Sequence, residues 1–403
     1  MKTKTWEINK LEEVCEILDN KRVPISSKNR IRGIYPYYGA SGIVDYIDKY
    51  IFDEELVLIG EDGAKWGAFE NSAFIAEGKY WVNNHAHILK PNNEILINKF
   101  LVYFLNYSNL EKYITGATVK KLNQQKLKQI EIPLPPLEEQ MRIVKILDLA
   151  FEKIDTSVEL LKANLANLDE LAQSVLDRTF NPLGDSADST ESTQNPSTHD
   201  TQSPYPLPQH WEWKTLGEIG DIITGSTPSK NNPKFYGNDY PLFKPSDLGS
   251  GNTIKASDNL SKLGFESARK LPKNTLLVVC IGASIGKIGL SGIIGSCNQQ
   301  INAIIPSPNV LSKYLFFVCH SKYFQSILKK NASQTTLPII NKTEFSKLEI
   351  PLPKDIKEQE QIAMHLDSVF GKIQKLKELY NAQLQDYEEL KQSLLNKAFK
   401  GEL

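Results

Sequence analysis

The 403-residue chain carries 47 Lys+Arg against 48 Asp+Glu, with 40% hydrophobic and 24% charged residues; this is ordinary soluble composition with room for two or three domains. No apolar run reaches the ~18 residues a membrane span needs, and Met1 to Glu7 holds no apolar signal core, which points to a cytoplasmic protein without a membrane partner. Cys15, Cys280, Cys297 and Cys319 match the spacing of neither a zinc site nor a disulfide framework, so reduced, buried thiols are expected.

In chain order, residues 1–136 are predicted to form a mixed α and β domain. Ile51 to Gly60 ends in a buried-strand pattern, Glu61 to Gly67 is a glycine-punctuated turn, and Tyr80 to Leu89 alternates like a strand. Asn98 to Leu110 is apolar at helical spacing. Thr115 to Leu122 is a small-residue loop closing on Lys120 and Lys121, and a Pro-bounded strand, Glu131-Ile132-Pro133-Leu134-Pro135, follows.

Residues 137–182 are predicted to form one long helix. Its heptad positions a (Leu137, Val144, Phe151, Val158, Leu165, Ala172) and d (Gln140, Leu147, Ile154, Leu161, Leu168, Val175) describe a coiled-coil seam. Residues 183–209 are polar and proline-punctuated, the pattern of a flexible linker. A second globular domain spans 210–353, with a small-residue loop from Thr224 to Pro228, a buried strand from Thr275 to Ile281, a turn from Gly282 to Gly289, and Cys297 to Ile304. Residues 354–403 are predicted to form a second long helix, the coiled-coil partner of the first, with Gln359, Leu366, Phe370 and Ile373 in its seam. Lys377 and Lys391 interrupt that seam, as register-setting residues do. Each helix would be about 65 Å long, equal to about 19 base pairs of B-DNA.

The two halves are one unit written twice. Glu131-Ile132-Pro133-Leu134-Pro135 returns as Glu349-Ile350-Pro351-Leu352-Pro353, and Gln140 to Phe180 aligns without a gap with Gln359 to Phe399, 17 of 41 pairs being identical. Chance would supply about 2 or 3. Apolar matches such as Leu147/Leu366, Phe151/Phe370 and Ile154/Ile373 follow from packing; Asp148/Asp367, Gln173/Gln392 and Ser174/Ser393 do not.

Charge is segregated. Residues 204–353 hold 16 Lys+Arg against 9 Asp+Glu, residues 1–136 hold 18 against 17, and 137–182 hold 5 against 9. A positive domain beside acidic helices suits contact between domain and polyanion.

The catalytic signatures tested are missing. Gly282 to Lys287 is one residue short of a phosphate loop and Ile288 replaces its hydroxyl. No dinucleotide or adenosyl-cofactor glycine motif and no adenine-methylation motif appears, and Lys65 sits at the wrong offset from Glu61 and Asp62 for a nuclease. His85 and His87 alternate as a metal pair does, without a third ligand; a base- or phosphate-contacting role or a structural one is the expectation. What remains is a binding surface. Asn83, Asn84, His85, His87, Gln299, Gln300 and Asn302 offer groups that read base edges. Lys65, Trp66, Lys120, Lys121, Lys230 and Lys287, with Thr227, Ser284, Thr335 and Thr336, belong to loops that can approach phosphate.

These features together resemble the specificity subunit of type I restriction-modification systems. The resemblance is carried by the repeated Glu-Ile-Pro-Leu-Pro with Glu139-Gln140 and Glu358-Gln359, the long helices, Tyr37 to Gly42, Ile59 to Gly63, Asn83 to His87, and Cys297 to Asn302. It implies an α+β fold: two similar mixed α/β target-recognition domains separated by two long helices that form an antiparallel coiled coil with a pseudo-twofold repeat. It further implies that each domain reads half of a bipartite, asymmetric target in double-stranded DNA. Two modification subunits would dock on the helices and methylate adenine N6; two restriction subunits would complete the complex. The chain itself would be non-catalytic and hold no cofactor, with S-adenosylmethionine, ATP and Mg2+ in the partners. A methylation-only system and a coiled-coil protein scaffold are the alternatives.

Overall fold

The computed structural model describes residues 6–181, 205–249, 251–253, 255–333 and 337–403; residues 183–204 of the expected linker, and the candidates Thr335 and Thr336, lie outside the described residues. Two compact units result, Met1–Lys162 with Tyr380–Leu403, and Ala163–Leu379. Each holds a globular head, the opening of one long helix and the close of the other.

The first head contains β1 (Glu7–Lys10), α1 (Leu11–Val14), β2 (Cys15–Ile17), β3 (Arg32–Gly39), β4 (Gly42–Ile47), β5 (Phe52–Asp53), β6 (Leu56–Gly60), β7 (Ala73–Ala76), β8 (Lys79–Val82), β9 (Ala86–Pro91), α2 (Asn98–Tyr107), α3 (Gln124–Lys128) and β10 (Glu131–Leu134). Helix α4 (Leu137–Phe180) follows. The second head contains β11 (Trp211–Thr215), α5 (Leu216–Ile219), β12 (Gly220–Thr224), β13 (Tyr236–Phe243), β14 (Asn252–Thr253), β15 (Asp258–Leu260), α6 (Lys262–Ser267), β16 (Leu276–Val279), β17 (Ile288–Ser291), β18 (Ser296–Cys297), β19 (Ile301–Pro306), α7 (Ser312–His320), α8 (Lys322–Lys330), α9 (Lys342–Ser346) and β20 (Glu349–Pro353). Helix α10 (Ile356–Phe399) closes the repeat.

The sheets repeat as well. The order β2-β9-β6-β7 corresponds to β12-β19-β16-β17, β4-β3-β8 to β15-β13-β18, and β1-β10 to β11-β20. In each head the Pro-bounded strand pairs antiparallel with the head's first strand, Ile8 opposite Pro133 and Trp213 opposite Pro351. Proline is tolerated in such two-stranded pairs because half the ladder positions need no donor.

Strand β6 is buried at every residue, which hides its alternation in the sequence. Val57 and Ile59 face one core while Leu56 and Leu58 face another. In β16, Leu276 and Val278 divide from Leu277 and Val279 in the same way. Side chains buried this way contribute about 1.5–3 kcal/mol each. All four cysteines are free and buried; burial pushes the Cys15, Cys280 and Cys297 thiols up to about 12. Among the described residues, no helix is long and apolar enough to cross a membrane.

Both long helices run 44 residues, about 66 Å. Glu138 and Glu139 occupy the first turn of α4, where carboxylates complement the helix dipole. The expected d positions Leu147, Ile154, Leu161 and Leu168 are buried, whereas Phe151 and the other a positions before Ala172 are half-buried. From Ala172 the buried stripe shifts to a spacing of four, Ala172, Leu176 and Phe180, with Leu176 and Phe180 in the second head's core.

Pairing is antiparallel within each unit. In the first, Arg142 donates to the Leu403 carbonyl at 2.6 Å, while farther along α4 Asp155 meets Lys391. In the second, Asp169 meets Lys377, and Leu176 and Phe180 share a core with Leu366 and Phe370. The two seam-breaking lysines thus each find an aspartate on α4, fourteen residues apart on both helices. Such exposed pairs add about 0–1 kcal/mol. Their role is selective, since a lysine in the seam disfavours pairing with a register or partner lacking the aspartate.

Two residues assigned to the seam belong elsewhere. Gln140 and Gln359 are 0% and 1% exposed and turn to their own heads. Gln140 accepts from the Ile97 amide at 2.9 Å and donates to the Ile95 and Pro135 carbonyls, both at 2.8 Å. Gln359 accepts from the Leu311 amide at 2.9 Å and donates to the Asn309 and Pro353 carbonyls at 3.2 and 3.0 Å. A primary amide is needed at both because only it offers one acceptor and two donors in this reach. The recurrence of Asp148 and Asp367 has a similar origin: they pair with Lys99 at 2.8 Å and Lys313 at 2.6 Å, on α2 and α7. Phe151 packs against Tyr103 and Phe370 against Phe317, again fixing helix to head.

Replacing Gln140 by Leu should strand three backbone groups, at about 1–3 kcal/mol for each buried group left unpaired. The expected outcome is a lower unfolding temperature for the first unit and loss of hydrogen-exchange protection at the Ile97 amide. The Leu311 amide should stay protected, and Gln359→Leu should reverse the pattern.

Candidate nucleic-acid interface

The candidates of the first head gather on the edge where β8 and β6 end and β9 begins. The expected strand from Tyr80 to Leu89 is interrupted: β8 stops at Val82, a turn holds Asn83, Asn84 and His85, and β9 starts at Ala86. Asn83 makes the turn, its side-chain carbonyl accepting from the His85 amide at 2.7 Å. Asn84 and His85 are thereby presented to solvent, with Asp62 holding the His85 ring at 2.5 Å.

Beneath the turn lies a buried charge network. Arg22 contacts Glu61, donates to the Ala86 carbonyl at 2.9 Å and reaches the Asn84 carbonyl at 3.4 Å. Asp19 receives His87 Nδ1 at 2.5 Å, the Ile88 amide at 3.0 Å and Gln124 at 3.1 Å. His87 Nε2 meets the Leu122 carbonyl at 2.6 Å. Lys121 pairs with Glu61 at 2.8 Å, joining the 115–122 loop to the turn. Burial raises the Asp19 carboxyl, but the His87 contacts, the Ile88 amide and Arg22 outweigh it and hold it below the usual range. Glu61 is likewise raised by burial and brought below its ordinary value by Lys121, Arg22 and His87.

Four candidates are corrected by burial. His87 is 0% exposed and clamped at both nitrogens, so it neither pairs with His85 on a surface nor meets DNA. Trp66 is buried and donates to the Gly60 carbonyl at 3.0 Å. Asn83 is buried as the turn-former. Asn302, 2% exposed, accepts from the Thr224 hydroxyl at 2.7 Å. A sequence does not reveal which amide faces inward, because both faces of these strands are covered. Lys65 and Lys120 are exposed, Lys65 lying 3.7 Å from Glu70.

In the second head the corresponding edge carries Thr227, whose hydroxyl donates to Gln299 at 2.7 Å, so these two exposed side chains form one polar pair. Gln300 is half-buried; its side-chain carbonyl accepts from Asn298 at 3.0 Å. Lys230 and Lys287 are exposed and Ser284 is half-buried in the 282–287 turn. That turn is made by Gly282 and Gly286, with φ of 94° and 90°, a region that favours glycine. Gln325 anchors it by donating to the Gly286 carbonyl at 2.9 Å. Arg22, Asp19 and Gln325 carry no signal in the sequence, since the contacts that place them at the edge, Arg22 with Glu61, Asp19 with His87 and Gln325 with Gly286, span 39 residues or more.

The first head's edge therefore offers amide and imidazole groups at positions fixed by buried ion pairs, and the second head's edge offers amide and hydroxyl groups, each with exposed lysines nearby, arrangements that can hydrogen-bond base edges and neutralise phosphates.

A family model described as the type I restriction modification DNA specificity domain matches residues 3–167 and 208–385. The putative type I restriction enzyme specificity subunit S.HindORF215P of Haemophilus influenzae is 45% identical over 34% of this chain and 35% of its own length. The HindI specificity subunit of the same organism is 36% identical over 36% of this chain. The chain thus spans about a third of each of these two relatives, 35% and 33%. The EcoDI specificity subunit of Escherichia coli is 24% identical over 99% of this chain and 88% of its own length. A chain from a structure explaining complex assembly and conformational transition of the type I R-M system superposes with a TM-score of 0.73 at 21% identity, covering 99% of both chains.

Asp19 and Glu61 make the first unit acid-sensitive. Because their folded values lie below the ordinary ones, their contribution is full above the unfolded carboxylate range near pH 4 and is lost as pH falls through the folded values. Calorimetry from pH 7 downward should show the first transition falling steeply below about pH 4. Asp19→Asn should be less stable at neutral pH and show a flatter acid limb.

Proposed function

Because the chain belongs to the type I restriction modification DNA specificity family, we propose that its two target-recognition heads each read one half of a bipartite sequence in double-stranded DNA, with α4 and α10 setting the gap. The observation that carries this reading is the repetition of one fold, head plus Gln-clamped helix, with dissimilar groups on the corresponding edges: Asn84 and His85 in one head, Thr227 and Gln299 in the other. Shared scaffolding with unshared reading groups suits two different half-sites. Continuous helices suit a fixed gap, since a helix transmits length at 1.5 Å per residue.

The chain acts as the non-catalytic subunit. Two modification subunits dock on outer helix faces, one on each half of the repeat, where Leu160 and its counterpart Leu379 are both exposed. S-adenosylmethionine belongs to those subunits, and ATP and Mg2+ to restriction subunits where these are present.

The test is methylome sequencing of cells expressing the chain with its modification subunit. A bipartite adenine-methylated motif is expected, and purified chain alone should methylate nothing. Inserting one heptad after Leu161 and another after Leu384 preserves both Lys–Asp pairs and lengthens each helix by about 10 Å, or about three base pairs. Both half-sites should be retained with a wider gap; an unchanged gap would refute the spacing role.

A further inference from the structure

The Lys+Arg and Asp+Glu of residues 1–136 nearly balance, but not evenly along the head. Residues 21–50 hold six Lys+Arg against two Asp+Glu, leaving the remainder of the head with twelve against fifteen. This basic segment contains the β3–β4 hairpin, and Lys28, Arg32 and Lys49 on it are exposed. One of its two carboxylates, Asp45, is taken by Arg30 at 3.1 Å.

The same hairpin displays apolar surface. Ile34 is 79% exposed, and Val44 and Tyr46 on β4 are about half exposed at 55% and 49%. A β-bulge accounts for this: Arg32 and Tyr35 both lie opposite Ile47, so Gly33 and Ile34 are extra residues in β3. Gly33 is required there, because a Cβ would run into the Ile47 carbonyl and the Asp48 backbone. Bulges re-aim side chains and recur beside functional sites. Strand β3 links it to the candidate edge: its other end runs parallel to β8, and the Asn83 amide donates to the Tyr38 carbonyl at 3.0 Å.

The second head has a bulge at the topologically equivalent place. Strand β13, paired with β18 and β15 as β3 is with β8 and β4, has Tyr236 and Tyr240 both opposite Leu260. Its extra residues are Gly237, Asn238 and Asp239, all exposed and polar. Asp239 is committed to the Lys262 amide at 3.1 Å, which leaves Asn238 as the amide presented. The same structural device carries an aliphatic group in one head and an amide in the other.

We propose that the β3 bulge is a specificity determinant of the first head: the β3–β4 ribbon enters the major groove and Ile34 packs on a thymine methyl group, while Arg32 and Lys49 contact the flanking phosphates. The proposal rests on the DNA-reading function above and assigns residues to it. A two-stranded ribbon fits the major groove, and a thymine methyl is the apolar mark that groove displays. The basic character of the segment selects a polyanion over a protein as the occupant of this apolar face.

The test uses the full chain with its modification subunits. The wild-type motif is read first by methylome sequencing; absence of any bipartite motif would sink the underlying reading rather than this one. With the motif known, Ile34→Ser should relax one A·T position of one half-site, with roughly three- to tenfold less preference for the original base, leaving the gap and the other half-site unchanged. Arg32→Ala should weaken binding to all sequences and reduce the slope of log affinity against log salt by about 1. Because Ile34 is exposed, Ile34→Ser should unfold at the wild-type temperature. The proposal is overturned if Ile34→Ser keeps the wild-type motif and preference. It is equally overturned if Ile34→Ser loses co-purification with the modification subunits, since the patch would then be a protein contact. A folding failure of Ile34→Ser would be met by Ile34→Val, which keeps the methyl contact and should keep the motif; a changed motif in Ile34→Val would also overturn the assignment.

Discussion

A buried primary amide at the start of each long helix is the constraint on which the arrangement of each unit depends. Gln140 and Gln359 each tie a helix's first turns to two backbone segments of the adjoining head through three hydrogen bonds. In a low-dielectric interior these bonds tolerate little misplacement, since a displaced amide strands its partners. The neighbouring ion pairs, Asp148 with Lys99 and Asp367 with Lys313, and the aromatic contacts of Phe151 and Phe370, extend the same junction. Under the proposed DNA-reading function, a rigid joint between head and helix is what makes helix length meaningful.

The far end of each helix is held differently. Phe180 meets Tyr314 edge to face, and Phe399 stacks on Tyr107 with ring centroids 5.0 Å apart. These are apolar anchors, permissive of small shifts in a way that a three-bond amide clamp is not. Between clamp and anchor, Lys377 and Lys391 contribute selection more than stability. Each is satisfied only opposite an aspartate of the other helix.

The candidate DNA-contacting edges show a related division of labour. Groups that resemble base readers in the sequence split into an outer set, such as Asn84, His85 and Gln299, and an inner set, such as Asn83, His87 and Asn302, that shapes the turns. In the first head the inner set rests on a polar network, not an apolar core: Asp19, Arg22 and Glu61 interlock with His87 under the turn. This fixes the backbone while leaving the surface side chains free to differ between heads.

The sequence by itself determined the internal repeat, the two long helices, the seam from Leu147 to Leu168 and the family, because these are written in local periodicity and in motifs that recur 218 or 219 residues apart. It also marked the turn from Gly282 by its glycines, while the Asn83 to His85 turn read as the interior of a strand. Tertiary structure decided what periodicity cannot encode. Burial on both faces of β9, where Ala86 to Leu89 are all covered, erased the alternation that would have told inward from outward residues, so His87 read as a surface group; Trp66 lies in the loop after β6, where no periodicity marks an inward side chain. Gln140 and Gln359 fall at d positions by spacing, yet a neighbouring backbone carbonyl and amide outcompete the seam for them. The β3 bulge depends on a close approach between Gly33 and Ile47, a contact across a hairpin that no linear pattern announces.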